Sequence, residues 1–371
     1  MRQIYLFFLI FLIQSFCFDS NAYKVNWELV SNRIRTHLSK PEIDVKNARI
    51  EIYNFESRLV YQLEIGSFSR DNRIPIMSGS KWLTGAIVMS LVEDGLLDLD
   101  APVTKYIDQN WIELDLDFQK TMINVMLTRV TVRQLLALTA AFPDHHDCIS
   151  SAKMNMNQCS GRILESMLSD ERSYRREISF SYGDTYYTLL GSIIERLTGK
   201  SFPQVFEERI GRPLGISLVN FYAKPRKKAG QANPRPAAGA LMSVSEYERF
   251  MRMLSNKGRY LDKRILKRES IKSISADQVS YIRRQQGNFV VYGKPKGFRT
   301  YGFGNFVSCL DSFCRKRVNS SPGLNGFTPF MDFDRGYYAI IGVFKNDPQM
   351  SAKMRPLQEE LMRYLSNSSK F

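Results

Sequence analysis

The chain has 371 residues, 44% of them apolar and 24% charged. These proportions exclude a fibrous repeat or a wholly disordered chain and leave room for one large domain or two ordinary ones. Lys and Arg outnumber Asp and Glu by 52 to 37, a formal charge of +15. A charge of that sign suits any anionic surface, acidic cell-envelope polymers included. No RNP motif, zinc-finger spacing or helix-turn-helix signal accompanies it, so nucleic acid is not an expected partner.

Arg2 is followed by an apolar run from Ile4 to Ile13, too short to span a bilayer comfortably. Small residues at Ser20 and Ala22 fit the −3 and −1 positions of a cleavage site, so residues 1–22 read as a signal peptide. Ser15 with Cys17 offers a second site, but Phe16 is not the small residue that precedes a lipoprotein cysteine. The expectation is a periplasmic or secreted protein with no integral membrane segment after signal cleavage. Cys17 would leave with the signal, and Cys148, Cys159, Cys309 and Cys314 remain as an even set. The pairs nearest in sequence, Cys148–Cys159 and Cys309–Cys314, would close short loops and contribute about 2–3 kcal/mol each. Four cysteines nevertheless allow three connectivities, and the residues alone do not choose. No CxxC occurs, which argues against thiol redox chemistry.

Val25 to Leu38 is patterned as a surface helix. Ile50–Tyr53 and Leu59–Ile65 alternate apolar and polar residues around a turn at Phe55–Arg58, the signature of a β-hairpin. A helix is predicted from about Gly79 to Glu93, with Leu83, Ile87, Val88 and Leu91 as its apolar stripe and Gly95 as its stop. Thr131–Gln134 and Ser243–Glu246 have capping-box spacing before apolar runs. Asp184 precedes a helix that ends before Gly199. Gly326–Phe333 and Tyr337–Phe344 flank a turn at Asp334-Arg335-Gly336, and Pro356 is placed to open a last helix through Leu365.

Strands at both ends with helices between them imply an α+β architecture, a sheet assembled from distant parts of the chain around a mostly helical insertion. Residues 23–80 and 235–371 would form the α/β part and residues 81–234 the mainly helical part. The basic run Lys224–Pro236 reads as an exposed crossing between them.

Chemistry-bearing residues are few. The three histidines are His37, His145 and His146, and no GxSxG elbow exists for a Ser-His-Asp hydrolase. Asp144-His-His-Asp147 has no second cluster to complete a metal site, so it reads as a solvated loop, and no metal or cofactor is implied. A serine can instead be activated by lysine. Ser78-Gly-Ser-Lys81 opens the predicted Gly79–Glu93 helix, so the amine at i+3 shares a face with the hydroxyl. Free N–H groups at that helix start favour developing negative charge. Burial would ease deprotonation of the lysine, which makes it a candidate base. Ser150-Ser-Ala-Lys153 has the same spacing but no apolar stripe behind it.

The surroundings of Ser78 resemble the serine β-lactamases and penicillin-binding proteins, and most nearly the branch of class C β-lactamases and family VIII esterases. Gly95-Leu-Leu-Asp-Leu-Asp-Ala-Pro-Val103 is similar to the family's G-x-L-x-L-D-x-P-V segment, and Val130-Thr-Val-Arg-Gln-Leu-Leu136 to its I-T-[IVL]-R-x-L-L. Phe180-Ser-Tyr182-Gly-Asp184 resembles the Y-x-N motif, and Ala238-Gly-Ala-Leu-Met-Ser243 resembles G-G-L-x-S/T. Ser321-Pro-Gly323-Leu-Asn-Gly326 stands where the family has [KHW]-x-G and a later glycine. The resemblance implies a β-lactamase/transpeptidase-like fold and an acyl-enzyme on Ser78. Lys81 and Tyr182 would relay the proton, with Tyr182 as base, and the N–H groups of Ser78 and Leu324 would hold the oxyanion.

Two residues depart from the family pattern. Asp184 replaces the usual amide; it suits an N-cap, and near Lys81 it would favour the charged amine and oppose a lysine base. Ser321 replaces a cation that would hold a substrate carboxylate, with Arg315, Lys316 and Arg317 nearby in sequence. Loss of a charged hydrogen bond of about 1.5–3 kcal/mol disfavours efficient β-lactam turnover relative to ester or peptide-amide hydrolysis. The expected substrate is a small molecule or peptide, with a D-alanyl peptide among the candidates. The alternatives are a β-lactamase proper and a non-catalytic protein that binds anionic envelope polymers. Asn319 and Asn367 begin formal N-glycosylation sequons.

Overall fold

The computed structural model describes residues 25–143, 146–151, 153–171, 173, 178–217, 219–222, 233–286, 289–291, 300–310 and 317–366. The expected signal peptide, Asp144, His145, Cys314, Arg315, Lys316, Asn367 and most of the Lys224–Pro236 run lie outside them.

A seven-stranded antiparallel sheet organises the fold. Its strands are β1 (Ala48–Asn54), β2 (Leu59–Ile65), β9 (Thr300–Tyr301), β10 (Phe306–Cys309), β11 (Arg317–Ser320), β12 (Thr328–Asp332) and β13 (Tyr337–Val343), in the order β2-β1-β13-β12-β11-β10-β9. The seam between the two ends of the chain is the β1–β13 ladder, which runs from Ala48 opposite Val343 to Asn54 opposite Tyr337. Six short strands pair off the main sheet: β3 (Ile74–Pro75) with β5 (Leu241–Met242), β4 (Ile178–Phe180) in parallel with β8 (Phe289–Val291), and β6 (Arg259–Tyr260) with β7 (Lys263–Arg264).

Both faces of the sheet are covered. Because successive side chains point to opposite faces, β13 sends Tyr337, Ala339, Ile341 and Val343 into one core and Tyr338 and Ile340 into the other. That explains why Tyr337–Val343 reads as an unbroken apolar run rather than an alternating one. The first core is roofed by the Trp27–Leu38 helix and the C-terminal Met350–Ser366 helix, through Val30, Ile34, Met354, Leu357, Leu361 and Leu365. The second core holds the Gly79–Glu93 helix, named the nucleophile helix for the role expected of Ser78, and the helical region beyond it.

Two expectations change on contact with the structure. The nucleophile helix has no exposed side until its last turn, since every residue from Gly79 to Leu91 is buried. It is a central helix packed on all sides, so an apolar stripe understates it. Pro356 lies inside the Met350–Ser366 helix instead of opening it. Pro356 and Ala352 are both exposed, so the carbonyl deprived of its donor faces water, while the buried Met354, Leu357, Leu361 and Leu365 face holds the helix together. The Asn319 sequon is not a glycan site in the folded chain, because its buried amide donates to Ser275 O (2.9 Å) and Asn305 Oδ1 (2.6 Å). Both capping boxes, at Thr131–Gln134 and Ser243–Glu246, form as expected. Of the three connectivities left open, the structure contains the Cys148–Cys159 disulfide. Cys309 is also disulfide-bonded, and Cys314 lies outside the described residues.

The turn between β9 and β10 presses backbone to backbone on the nucleophile helix. A Cβ on Gly304 would lie 2.1 Å from Lys81 O, and one on Gly85 would lie 2.5 Å from Phe303 O. Gly304 also has φ +84°, where an L side chain is strained. Gly304→Ala should therefore destabilise the protein by about 2 kcal/mol or more, read as a lower urea midpoint with an unchanged slope.

Candidate active site

Ser78 is presented by a strained turn. Met77, the residue before it, has φ +49°, and the helix begins immediately after Ser78. The turn is tied down from several sides. Ser80 Oγ donates to Met77 O (2.7 Å) and accepts from Ala240 N (3.0 Å), Ile76 N donates to Ala240 O (3.1 Å), and Tyr247 Oη donates to Gly79 O (3.1 Å). Residues 238–243, which resemble G-G-L-x-S/T, thus act as the brace of the Ser78 turn.

One helical turn on, Lys81 is completely buried. Its Nζ lies 3.4 Å from Ser78 Oγ, 2.7 Å from Asp184 Oδ1 and 3.4 Å from Ala237 O. It also stands 4.8 Å from the centre of the Tyr182 ring and 5.6 Å from that of Tyr187. Burial by itself would lower the Lys81 pKa, but the Asp184 carboxylate and the Tyr182 oxygen outweigh it and hold the ammonium above its usual range. Burial likewise opposes ionisation of Asp184, yet Lys81 and then Arg235 keep its carboxyl below the usual carboxylate range. Burial above all, aided by the negative charge on Tyr182 and Asp184, pushes the Tyr187 phenol far above an ordinary tyrosine; its hydroxyl donates to Leu136 O at 3.1 Å.

Asp184 does precede the Thr185–Thr198 helix, but its side chain makes no cap bond. The carboxylate is used instead to bridge Lys81 and Arg235, whose Nη2 is 3.1 Å from Oδ2. This corrects two expectations together. Asp184 is not a simple N-cap, and the end of the Lys224–Pro236 run is not a solvated loop, because Asn233 and Pro236 are buried and Arg235 is half-buried. Lys81 as a neutral base is also disfavoured by this carboxylate.

Tyr182 stacks on Phe306 (ring centroids 5.1 Å apart, 22° between planes) and meets Tyr301 edge-on at 6.1 Å. With Ser78 it borders a cleft whose other apolar walls are Phe306, Pro322 and Leu324. The opposite wall is polar and comes from the C-terminal helix: Ser351, Arg355 and Gln358. Among the described residues Arg355 has no carboxylate partner, and the buried Gln358 Nε2 has no acceptor. The sequence reading missed all three, since nothing in a C-terminal helix pattern says that it passes the mouth of a site built elsewhere.

Ser321, Gly323 and Leu324 divide into support and surface. Ser321 is 2% exposed and turned inward, its hydroxyl within 2.8 Å of Ser78 O and 2.9 Å of Gly304 O. It steadies the Ser78 turn and does not border the cleft, which Arg355 does line. Gly323 donates to Phe327 O (2.7 Å), and a Cβ there would lie 2.4 Å from Ile76 O, so only glycine lets this segment approach the Ser78 turn. Leu324 is at the rim. The backbone N–H groups of Ser78 and Leu324 have no protein acceptor among the described residues, which leaves two donors beside one cleft for a developing oxyanion. The second SxxK does not assemble: Ser150 and Lys153 are both exposed, and the His146–Ser150 helix stops between them.

A serine at a buried helix start, a lysine one turn on and a tyrosine across the cleft, all carried by this sheet, define the serine hydrolases and acyltransferases of β-lactamase/transpeptidase fold. Residues 56–360 match the family model described as Beta-lactamase, and the chain belongs to that family. Its fold is shared with a putative β-lactamase from Bacteroides dorei (22% identity, TM-score 0.70, covering 90% of this chain and 99% of that one). It is shared also with EstCE1, described as a hydrolase with promiscuous acyltransferase activity (17% identity, TM-score 0.66, covering 91% and 97%). Protein flp of Staphylococcus aureus is 26% identical over 181 residues, a match spanning 48% of this chain and 34% of flp. No helix among the described residues is long and apolar enough to cross a membrane.

The Lys81–Asp184 pair has a measurable signature. Breaking a buried pair strands the other charge and costs about 3–5 kcal/mol. Asp184→Ala should lose stability of that order at neutral pH in urea denaturation. The folded pKa of Asp184 is depressed, so the carboxylate's contribution is complete above its unfolded value of about 4 and fades as pH falls through the folded value. The deficit of the variant relative to wild type should therefore narrow in denaturation at acid pH.

Proposed function

We propose that the protein is an exported serine hydrolase that forms an acyl-enzyme on Ser78 and acts on a small ester or amide carrying a carboxylate, a D-alanyl peptide being the leading candidate. One observation carries this reading: Ser78, Tyr182, Arg355 and Gln358 border one cleft, with Lys81 directly behind Ser78. Ser78 Oγ attacks the carbonyl carbon and its proton passes to the Tyr182 oxygen. Before that transfer the Lys81 ammonium holds Tyr182 as the phenolate that accepts the proton, and afterwards the N–H groups of Ser78 and Leu324 hold the oxyanion. The tetrahedral intermediate collapses as the bond to the leaving group breaks and Tyr182 returns the proton to it. Water then attacks the ester by the reverse path. Arg355 and the Gln358 amide offer a substrate carboxylate two donors that no protein group occupies among the described residues, in place of the cation missing at Ser321.

Export through residues 1–22 accords with the Cys148–Cys159 disulfide, which an oxidising compartment sustains. The formal +15 charge suits work beside anionic envelope polymers. A second reading, acyl transfer to an alcohol in place of water, is favoured by Leu324, 42% exposed at the mouth beside Phe306 and Pro322. Turnover of β-lactams is the third, and a long-lived penicilloyl adduct on Ser78 in intact-mass spectra would separate the peptidase from it.

Hydrolysis of a D-alanyl-D-alanine peptide and of its C-terminal amide, followed side by side, tests the assignment. Ser78→Ala should abolish both, by about a thousandfold or more. Arg355→Ala should lower kcat/KM about ten- to a hundredfold for the free carboxylate and only slightly for the amide. Equal losses on both would remove Arg355 from substrate recognition.

A further inference from the structure

Replacing the amide of a Y-x-N motif by a carboxylate subtracts one charge from the centre of the site. Arg235 adds it back. Its guanidinium is 3.1 Å from Asp184 Oδ2, while Lys81 Nζ is 2.7 Å from Oδ1. Two cations and one carboxylate leave the same net positive charge that one lysine and a neutral amide would leave. We propose that Arg235 is a positioning residue acting through Asp184, which restores the positive potential at Ser78 and Tyr182 on which ionisation of the serine–tyrosine couple depends. The proposal rests on the reading of Ser78 as the acylated serine.

Arg235 is not a surface arginine that drifts near a carboxylate. Its turn is bonded to the nucleophile helix: Thr84 Oγ1 donates to Pro236 O at 2.7 Å, and Lys81 Nζ lies 3.4 Å from Ala237 O. The same turn is bonded to itself and to the neighbouring segment at Phe221. Arg235 N donates to Phe221 O (2.7 Å), Arg235 O accepts from Gly239 N (2.7 Å), and a Cβ on Gly239 would lie 1.9 Å from Phe221 O. Among the described residues Asp184 is the one ionic partner of the guanidinium, and Arg235 Nε is buried without a hydrogen bond. A guanidinium that gives up water at Nε for a single carboxylate contact is placed for its charge.

Several other charged and titratable groups face the couple. They are Lys81 from the nucleophile helix, Asp184 and Tyr187 from the segment after Tyr182, Tyr301 from β9, and Arg355 across the cleft. Among the described residues no hydrogen bond or ion pair joins Arg235 to Ser78 or Tyr182, so its removal changes the charge of the site without removing a reacting group.

The test is the rate at which a fluorophosphonate labels Ser78 in the full chain, followed by intact mass across pH, with Ser78→Ala as background. R235Q should move the midpoint of the alkaline rise up by about one pH unit or more, and D184N should move it down. D184N/R235Q should return the midpoint toward wild type, and R235K should hold it near wild type. Full labelling with an unmoved midpoint in R235Q, or a double variant no nearer to wild type than the worse single variant, would overturn the proposal. D184N decides the sign by itself if R235Q does not fold: a midpoint that rises or stays contradicts charge compensation. Wild-type protein that is not labelled at any pH removes the reading of Ser78 and this proposal with it, whereas labelling without the shifts removes only the role of Arg235.

Discussion

A lysine ammonium shut away from water has to be neutralised where it stands, and the construction of the site follows from how that is done for Lys81. Its three protons face Asp184, Ser78 and Ala237 O, so the charge that would make burial costly also orients the amine toward the serine. Asp184 cannot serve Lys81 and cap its own helix at once, and its carboxylate goes to the ion pair. The ammonium then stands as a fixed positive charge behind the serine hydroxyl, and in the mechanism proposed above the proton acceptor is Tyr182 on the cleft side. Electrostatic preorganisation of this kind works because the groups are already in place when charge develops.

The sheet explains how groups so far apart in sequence reach one point. β1 and β13 zip the two ends of the chain together, which sets the C-terminal helix over one core and leaves Ser351, Arg355 and Gln358 at the mouth of the cleft. The nucleophile helix is held between that sheet and the helical region, with Gly85 and Gly304 allowing backbone to touch backbone. Ser321 joins the two parts by standing between the carbonyls of Ser78 and Gly304. Precision at Ser78 is a property of the whole assembly: the brace at Ala240, the strained Met77 and the β9–β10 turn all converge on it.

Local signals were readable in advance wherever one segment decides its own structure. The Gly79–Glu93 helix, both capping boxes and the two hairpins depend on neighbours within a few residues, and spacing alone located them. The expectation that Ser78, Lys81 and Tyr182 act together came from the resemblance to a known family, since a single Y-x-D stretch reads by itself as an ordinary half-buried tyrosine. What sequence could not show was convergence. Arg235 is 51 positions from Asp184 and lies in a stretch whose composition reads as solvated loop. Arg355 sits on a helix whose pattern reports only its buried face. Ser321 looked like a weakened substrate anchor because the inward rotation of a hydroxyl leaves no trace in composition. Pro356 misled for a related reason: the packing of Met354, Leu357 and Leu361 overrides the local preference of proline for a helix start.

The protonation state of Lys81 is the centre of this account, and the side-chain nitrogen resonance of Lys81 measures it directly. In protein carrying nitrogen-15 lysine, with the signal assigned through Lys81→Arg, a pH titration should show an ammonium throughout the neutral range. Deprotonation should come only above the ordinary lysine range, and Asp184→Asn should bring it to lower pH. A neutral amine at pH 7 in the wild-type protein would contradict the ion pair as the organising interaction and would return the role of base to the lysine.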